Sequence, residues 1–217
     1  MSTPVTTAEL DTAGAALAAE SARFAALGWM RGTSGNLSVT LRTDPLRLAV
    51  TTSGRDKGEL TPQDVVVVDA AGAAVPDQPR PDQRPSAEAG LHARVAARSG
   101  AGAVVHVHIT APVLAAERWS GGIVLRDLEM LKGLGRGAHD DEVTVPVVPN
   151  GQDMAWLGDR FEEVFDPATP ALVVAGHGVY VWGDDLAQAR HRTECLEWLT
   201  SYALAADQPH HVNRRTA

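Results

Sequence analysis

The chain has 217 residues, 44% of them hydrophobic, and a formal net charge of −8, so it is long enough to bury a full core. Its acidity argues against nucleic acid as a partner and requires any anionic substrate to be held by local donors instead of a global field. The single Cys195 excludes an internal disulfide framework, no apolar run reaches the ~18–20 residues of a membrane span, and the first residues lack the basic and apolar segments of a signal peptide, so the expected location is the cytoplasm.

Thr6-Thr7-Ala8-Glu9 reads as a capping box, and Leu10, Gly14, Leu17, Ser21 and Phe24 follow at helical spacing. This predicts a first helix ending near Gly28. Short apolar runs at 37–41, 46–52 and 65–69, separated by turn residues, suggest an antiparallel meander. The stretch 72–84 is rich in Pro, Asp and Gln and reads as an exposed loop. Ser86 is placed to cap a helix running to about Arg98. Residues 102–109, Gly-Ala-Val-Val-His-Val-His-Ile, form a β-branched run bounded by Gly102 and Pro112, the signature of a buried strand, with a helix expected after Pro112. A strand is expected at 143–148, where Pro146 favours an edge or a strand end. An amphipathic helix is expected at 151–165. Strands at 171–175 and 179–182 flank a Gly-His-Gly turn, and Asp184 or Asp185 caps a last helix to about Ala205. The pattern predicts one α/β domain over 1–207, a mostly antiparallel sheet flanked by helices, followed by a polar tail at 208–217.

His106 and His108 stand at i and i+2 on the predicted strand, so their rings share a face with Cα atoms roughly 6–7 Å apart. That separation suits one metal ion with Zn–N bonds of about 2.0–2.1 Å. Without a ligand, both buried rings would need other hydrogen-bond partners. His177 lies between Gly176 and Gly178 directly after an apolar strand. As a third ligand it would complete a His₃ site with an open fourth position; otherwise it is an exposed turn histidine. His92, four residues after Glu88, reads as an i, i+4 helix partner, and His139, His191, His210 and His211 read as loop or surface residues.

Two small-polar turns, Gly32-Thr33-Ser34-Gly35-Asn36 and Thr51-Thr52-Ser53-Gly54, offer N–H groups and hydroxyls that suit a phosphate, with Lys57 close behind. Each alone is also an ordinary loop. Pro85-Ser86-Ala87-Glu88 makes the set more specific. Glu88, in the first turn of a helix, and Glu129, interrupting an apolar stretch, are candidates for general acid/base work near a metal-bound substrate. The plain alternatives are a helix-dipole contact and a solvated face. Trp119, Trp156, Trp182 and Trp198 are either core or interface residues.

Taken together, segments 32–38, 53–61, 85–88, 101–108 and 176–183 resemble the class II aldolase/adducin family, and the resemblance runs from the first helix to about Tyr202. It implies a three-layer α/β/α fold with a mostly antiparallel central sheet. It also implies one Zn²⁺ held by His106, His108 and His177, phosphate held at Thr33, Ser34, Gly35, Asn36, Ser53, Gly54 and Ser86, and a homotetramer. Within the family, Ser53-Gly54-x-x-Lys57, Glu129-Met130-Leu131-Lys132-Gly133 and Pro149-Asn150-x-Gln152-Asp153 are most similar to dehydratases of a methylthio-substituted pentulose phosphate. The expected function is therefore zinc-dependent loss of water from such a sugar phosphate. The alternatives are a sugar-phosphate aldolase or pentulose-phosphate epimerase, and a non-catalytic adducin-like interaction module. Aldolases place their working carboxylate at the position of Glu88, and some dehydratases at that of Glu129, which is expected to carry the main role. Ala87 stands where the aldolase pattern has a second Ser.

Overall fold

Thr6 caps the first helix as its sequence predicts: its hydroxyl accepts the Glu9 N–H at 3.2 Å, and the Glu9 carboxylate accepts the Thr6 N–H at 2.9 Å. The structure, a computed structural model, describes residues 4–138 and 140–207. The expected tail at 208–217, with His210 and His211, lies outside the described residues, as does His139. Helix α1 (Thr7–Ala26) buries Leu10, Leu17 and Phe24 along one face. Strands β1 (Asn36–Thr43), β2 (Leu46–Thr51) and β3 (Val65–Val68) form the expected antiparallel meander. All four valines of β3 are buried, so both faces of the sheet are covered there.

The loop at 72–84 is less exposed than its polarity suggests. Gln78 is buried, and its side-chain carbonyl accepts the Val67 N–H at 2.7 Å. An edge strand leaves such N–H groups unpaired, and the loop occupies them. Helix α2 (Ala89–Ser99) begins later than expected, with Glu88 rather than Ser86 at the N-cap. Pro85 bridges to Thr52 and the Ser86 N–H bonds to Thr51, which holds this pair extended against the end of β2.

Strand β4 (Ala103–Val107) is fully buried, and helix α3 (Thr110–Arg118) follows. Pro112 falls inside the first turn of α3 instead of before it, where its missing N–H breaks no intrahelical bond. Strands β5 (Ile123–Arg126) and β6 (Glu142–Val145) pair as a small separate sheet, with a 3₁₀ helix (Glu129–Leu134) between them. The single strand expected at 143–148 is divided: Pro146 ends β6, and β7 (Val147–Val148) joins the edge of the main sheet. Helix α4 (Met154–Val164) is capped by Asp153, β8 (Ala171–Val174) and β9 (Gly178–Gly183) flank the Gly-His-Gly turn, and α5 (Leu186–Ala206) is capped by Asp185.

The main sheet has the order β3-β2-β1-β4-β9-β8-β7, antiparallel except for the β7–β8 pair. Side chains alternate across it. On one face Val105 and Val107 of β4 pack with α1, α3 and α5 through Leu17, Ala115 and Leu196. On the other, Val104 packs with α2 and α4 through Leu91 and Phe161. The result is a three-layer α/β/α fold whose central strand is β4. Trp182 is buried, Trp119 is half-buried, and Trp156 and Trp198 are 38% and 43% exposed. Among the described residues no helix is long and apolar enough to cross a membrane.

Candidate metal centre

His106 sits near the end of the central strand, with Asn36 of β1 on one side and Tyr180 of β9 on the other. His108 lies just past the strand and is anchored by its N–H to the Trp29 carbonyl at 2.9 Å. His177 occupies the β8–β9 turn, its N–H bonded to Val174 at 3.1 Å. Sequence spacing placed the first two rings on one face, and the turn brings the third to them. A Cβ at Gly178 would lie 2.6 Å from the Val107 carbonyl, 3.0 Å from the His108 ring and 3.2 Å from the His106 ring, so only glycine leaves room for the cluster. The three ring centroids are 4.8–4.9 Å apart, and one ligand nitrogen from each histidine lies within 4.8 Å of the others.

This donor set fits a divalent cation. The His106 Nδ1–H donates to the Val179 carbonyl at 3.0 Å, which turns the Nε2 lone pair toward the cluster. Burial pushes the His106 pKa down to about 3, and burial, then His177, lowers that of His108. Neutral imidazoles are the ligating form. The Nε2 atoms of His106 and His108 face each other at 3.0 Å, and Nδ1 of His177 is buried without a partner.

Glu88 closes the site from the N-terminus of α2. Its two carboxylate oxygens each lie 3.3 Å from a cluster nitrogen, one on His106 and one on His177. Burial raises the Glu88 pKa, but His106, the Asn36 amide and His177 outweigh it, and the group stays below the ordinary carboxylate range. A buried chain of hydrogen bonds stands behind it. The Ser38 hydroxyl donates to His92 Nδ1 at 2.8 Å, His92 Nε2–H donates to the Asn36 carbonyl oxygen at 2.5 Å, and Asn36 Nδ2 donates to Glu88 at 2.5 Å. Burial pushes the His92 pKa to about 4, so the ring is neutral and this polarity is self-consistent. Tyr180 stacks on His106 with ring centroids 4.2 Å apart, its hydroxyl buried beside Glu88 without a well-formed hydrogen bond. Burial, then the Glu88 charge, raises its pKa well above the ordinary tyrosine value.

Sequence reasoning missed Tyr180, read His92 only as a helix partner of Glu88, and assigned Asn36 to phosphate without its bonds to Glu88 and His92. The available signal for His92 was its place among Leu91, Ala93, Val95 and Ala96 on an apolar helix face. The two small-polar turns do lie side by side. The Lys57 N–H bonds to Gly32, and its buried ammonium donates to the carbonyls of Thr33 and Arg55 at 3.0 and 2.8 Å. Burial lowers the Lys57 pKa, while Asp56 and Glu88 push it back up. Ser53 and Gly54 are exposed, Ser34 and Ser86 half-exposed, and Gly35 is pressed against the His106 carbonyl. Glu129 occupies the 3₁₀ helix, where its carboxylate is 71% exposed and pairs with Lys132 at 2.6 Å.

Comparison with known proteins bears on the family and the fold. The model of the class II aldolase and adducin N-terminal domain matches residues 15–204. A methylthioribulose-1-phosphate dehydratase of Methylococcus capsulatus is 42% identical over 79% of the chain and 83% of the relative. One from Exiguobacterium sibiricum is 38% identical over 83% of the chain and 87% of the relative. Among solved structures, YgbL of Escherichia coli superposes with a TM-score of 0.76 at 23% identity, covering 92% of each chain, which supports the fold alone.

Proposed function

Because the chain belongs to the class II aldolase and adducin family, we propose that it is a methylthioribulose-1-phosphate dehydratase, converting 5-methylthioribulose 1-phosphate to 2,3-diketo-5-methylthiopentyl 1-phosphate in methionine salvage. The observation that carries this reading is the convergence of His106, His108, His177 and Glu88 in a chain whose relatives bear that name. We assign one Zn²⁺ per subunit to the three imidazoles; when bound it supplies Lewis acidity at the substrate's C2 carbonyl. The reaction then needs two proton transfers, one to the protein and one from it. A carboxylate takes the proton from C3, and a protonated acid helps the C4 hydroxyl leave as water. The C3 enol takes up a proton at C4 to give the diketone. Glu129, on its Glu-Met-Leu-Lys-Gly motif, is assigned the principal role. Glu88, fixed beside the histidines by Asn36, is the second candidate.

The substrate phosphate is assigned to Thr33, Ser34, Gly35, Asn36, Ser53, Gly54, Lys57 and Ser86. Lys57 supports that assignment by tying the two turns together. A cavity of about 380 Å³ beside His108 has a mixed wall, with Leu27, Leu114 and Leu204 beside Arg31 and Glu197, and its leucines are the contacts assigned to the methylthio arm. Incubating the metal-loaded chain with 5-methylthioribulose 1-phosphate and identifying the product by mass spectrometry tests the assignment. The diketone is expected. Dihydroxyacetone phosphate would make the chain an aldolase, and an inverted pentulose phosphate an epimerase.

The functional unit is assigned to residues 1–207, assembled as a homotetramer in the cytoplasm. Trp198 and Tyr202 support the assembly: they stack on α5 with ring centroids 5.4 Å apart while both stay exposed. Light scattering at micromolar concentration is expected to give the mass of four chains, and a monomer mass would end the idea.

The relay behind Glu88 makes its own prediction. In His92→Phe the ring volume remains but the N–H to Asn36 is gone, so the amide is free to turn its oxygen toward Glu88. Turnover is expected to fall by about 10–100-fold, the usual range for residues that orient a metal site, with metal content unchanged. His92→Gln keeps a donor toward Asn36 and is expected to recover most of the loss. Equal turnover in His92→Phe and the parent would make the relay purely structural.

A further inference from the structure

At the opposite end of β9 from Gly178, a cavity of about 370 Å³ opens beside Trp182, Gly183 and Asp184. Arg98, Arg136 and Arg192 line it, brought there by α2, the end of the 3₁₀ segment and α5. Each guanidinium is held by a neutral group. Arg192 donates to the Trp182 carbonyl at 2.8 Å, Arg136 to the Thr169 hydroxyl at 3.3 Å, and Arg98 lies 4.4 Å above the Phe165 ring. None of the three has a carboxylate within 4.0 Å among the described residues, whereas Arg42, Arg94 and Arg190 all do. Asp184 is the one acidic residue on the lining. Arg136 Nε is also buried without a hydrogen-bond partner among the described residues, a donor whose desolvation costs free energy. Among the described residues the three cations make no direct ion pair; Arg192 feels only the nearby Asp184, and Arg136 reaches Asp166 only through the Thr169 hydroxyl, so positive charge is in excess on this lining.

We propose that this cavity is a second binding site, for a small metabolite carrying an oxyanion group, either phosphate or carboxylate. Guanidinium groups present paired N–H donors that match the oxygens of both. The cavity volume falls in the range of small-ligand pockets, about 300–1,000 Å³. The neutral anchors set the arginine geometry before the ligand arrives, which lowers the ordering cost of binding. The site shares no residue with the metal centre, so it stands independently of the dehydratase reading.

The test uses the metal-loaded full chain carrying Ser53→Asp, which puts a repelling carboxylate in the turn assigned to substrate phosphate. Calorimetric titration with inorganic phosphate, and separately with malonate, is expected to show saturable binding of at least one of them; which one binds names the class. Adding Arg98→Gln and Arg136→Gln together is expected to weaken that binding by about tenfold or more, as loss of a charge-assisted bond would, with metal content and melting temperature unchanged. Failure of both anions to bind the Ser53→Asp chain overturns the proposal. So does binding that the arginine replacements leave intact.

Discussion

Replacing His106, His108 or His177 by alanine is expected to strip the chain of most of its metal and to lower turnover by roughly three orders of magnitude or more, since Lewis-acid stabilisation is worth several kcal/mol. Each substitution reduces three protein ligands to two, too few to hold a catalytic ion tightly. The three variants are not equal as experiments. His106 is fully buried and stacked on Tyr180, so its alanine variant also opens a cavity, and core truncations of that size destabilise by a few kcal/mol. His177 lies on a turn with its side chain 17% exposed, so His177→Ala removes a ligand with a smaller packing loss than His106→Ala. Metal content by elemental analysis, read beside the melting temperature, separates lost ligation from lost fold. Full metal occupancy and normal turnover in His177→Ala would remove it from the site.

The second large effect is expected from the carboxylates. Glu129→Gln keeps the size of the side chain but removes the base, and kcat should fall by about 10²–10⁴-fold while metal content stays normal. Glu88→Gln is the necessary companion. Its carboxylate lies 3.3 Å from nitrogens of both His106 and His177, so its loss is expected to disturb metal affinity as well as turnover. If Glu129→Gln keeps near-parent kcat and Glu88→Gln does not, the principal acid/base is Glu88 and the assignment reverses.

The parts of the fold set by local chemistry were legible in the sequence. The capping box at Thr6 stands where its residues predict, Asp185 is the one of the two candidate aspartates that caps the last helix, and the run at 102–109 does form a strand, though one that ends at Val107, short of His108. Pro146 announced a break but not its consequence: Val147 pairs with Val173, and no local pattern says which strand a two-residue segment will join. The burial of Gln78 was hidden for the same reason, because its partner is the Val67 N–H at an otherwise open sheet edge. At the site, the three histidines and Glu88 could be named from spacing and motif. The relay could not, because Asn36 and His92 are 56 residues apart and meet only when β1 and α2 pack. A polar residue on an apolar helix face signals a buried partner without saying which one.

The origin of the ligands in two neighbouring strands gives the metal a mechanical part to play. His106 and His108 belong to β4 and its end, His177 to the turn leading into β9, and the backbones of β4 and β9 are already paired from Ala103–Gly183 to Val107–Val179. An ion held by the three imidazoles would act as a rivet at the open end of this central pair. Its binding energy becomes part of the folding energy, about 2.7 kcal/mol when free metal stands a hundredfold above its dissociation constant. Chelation should therefore loosen the central strands first, and amide exchange at Val107 and Val179 would register the loosening while the outer strands β2 and β3 stayed protected.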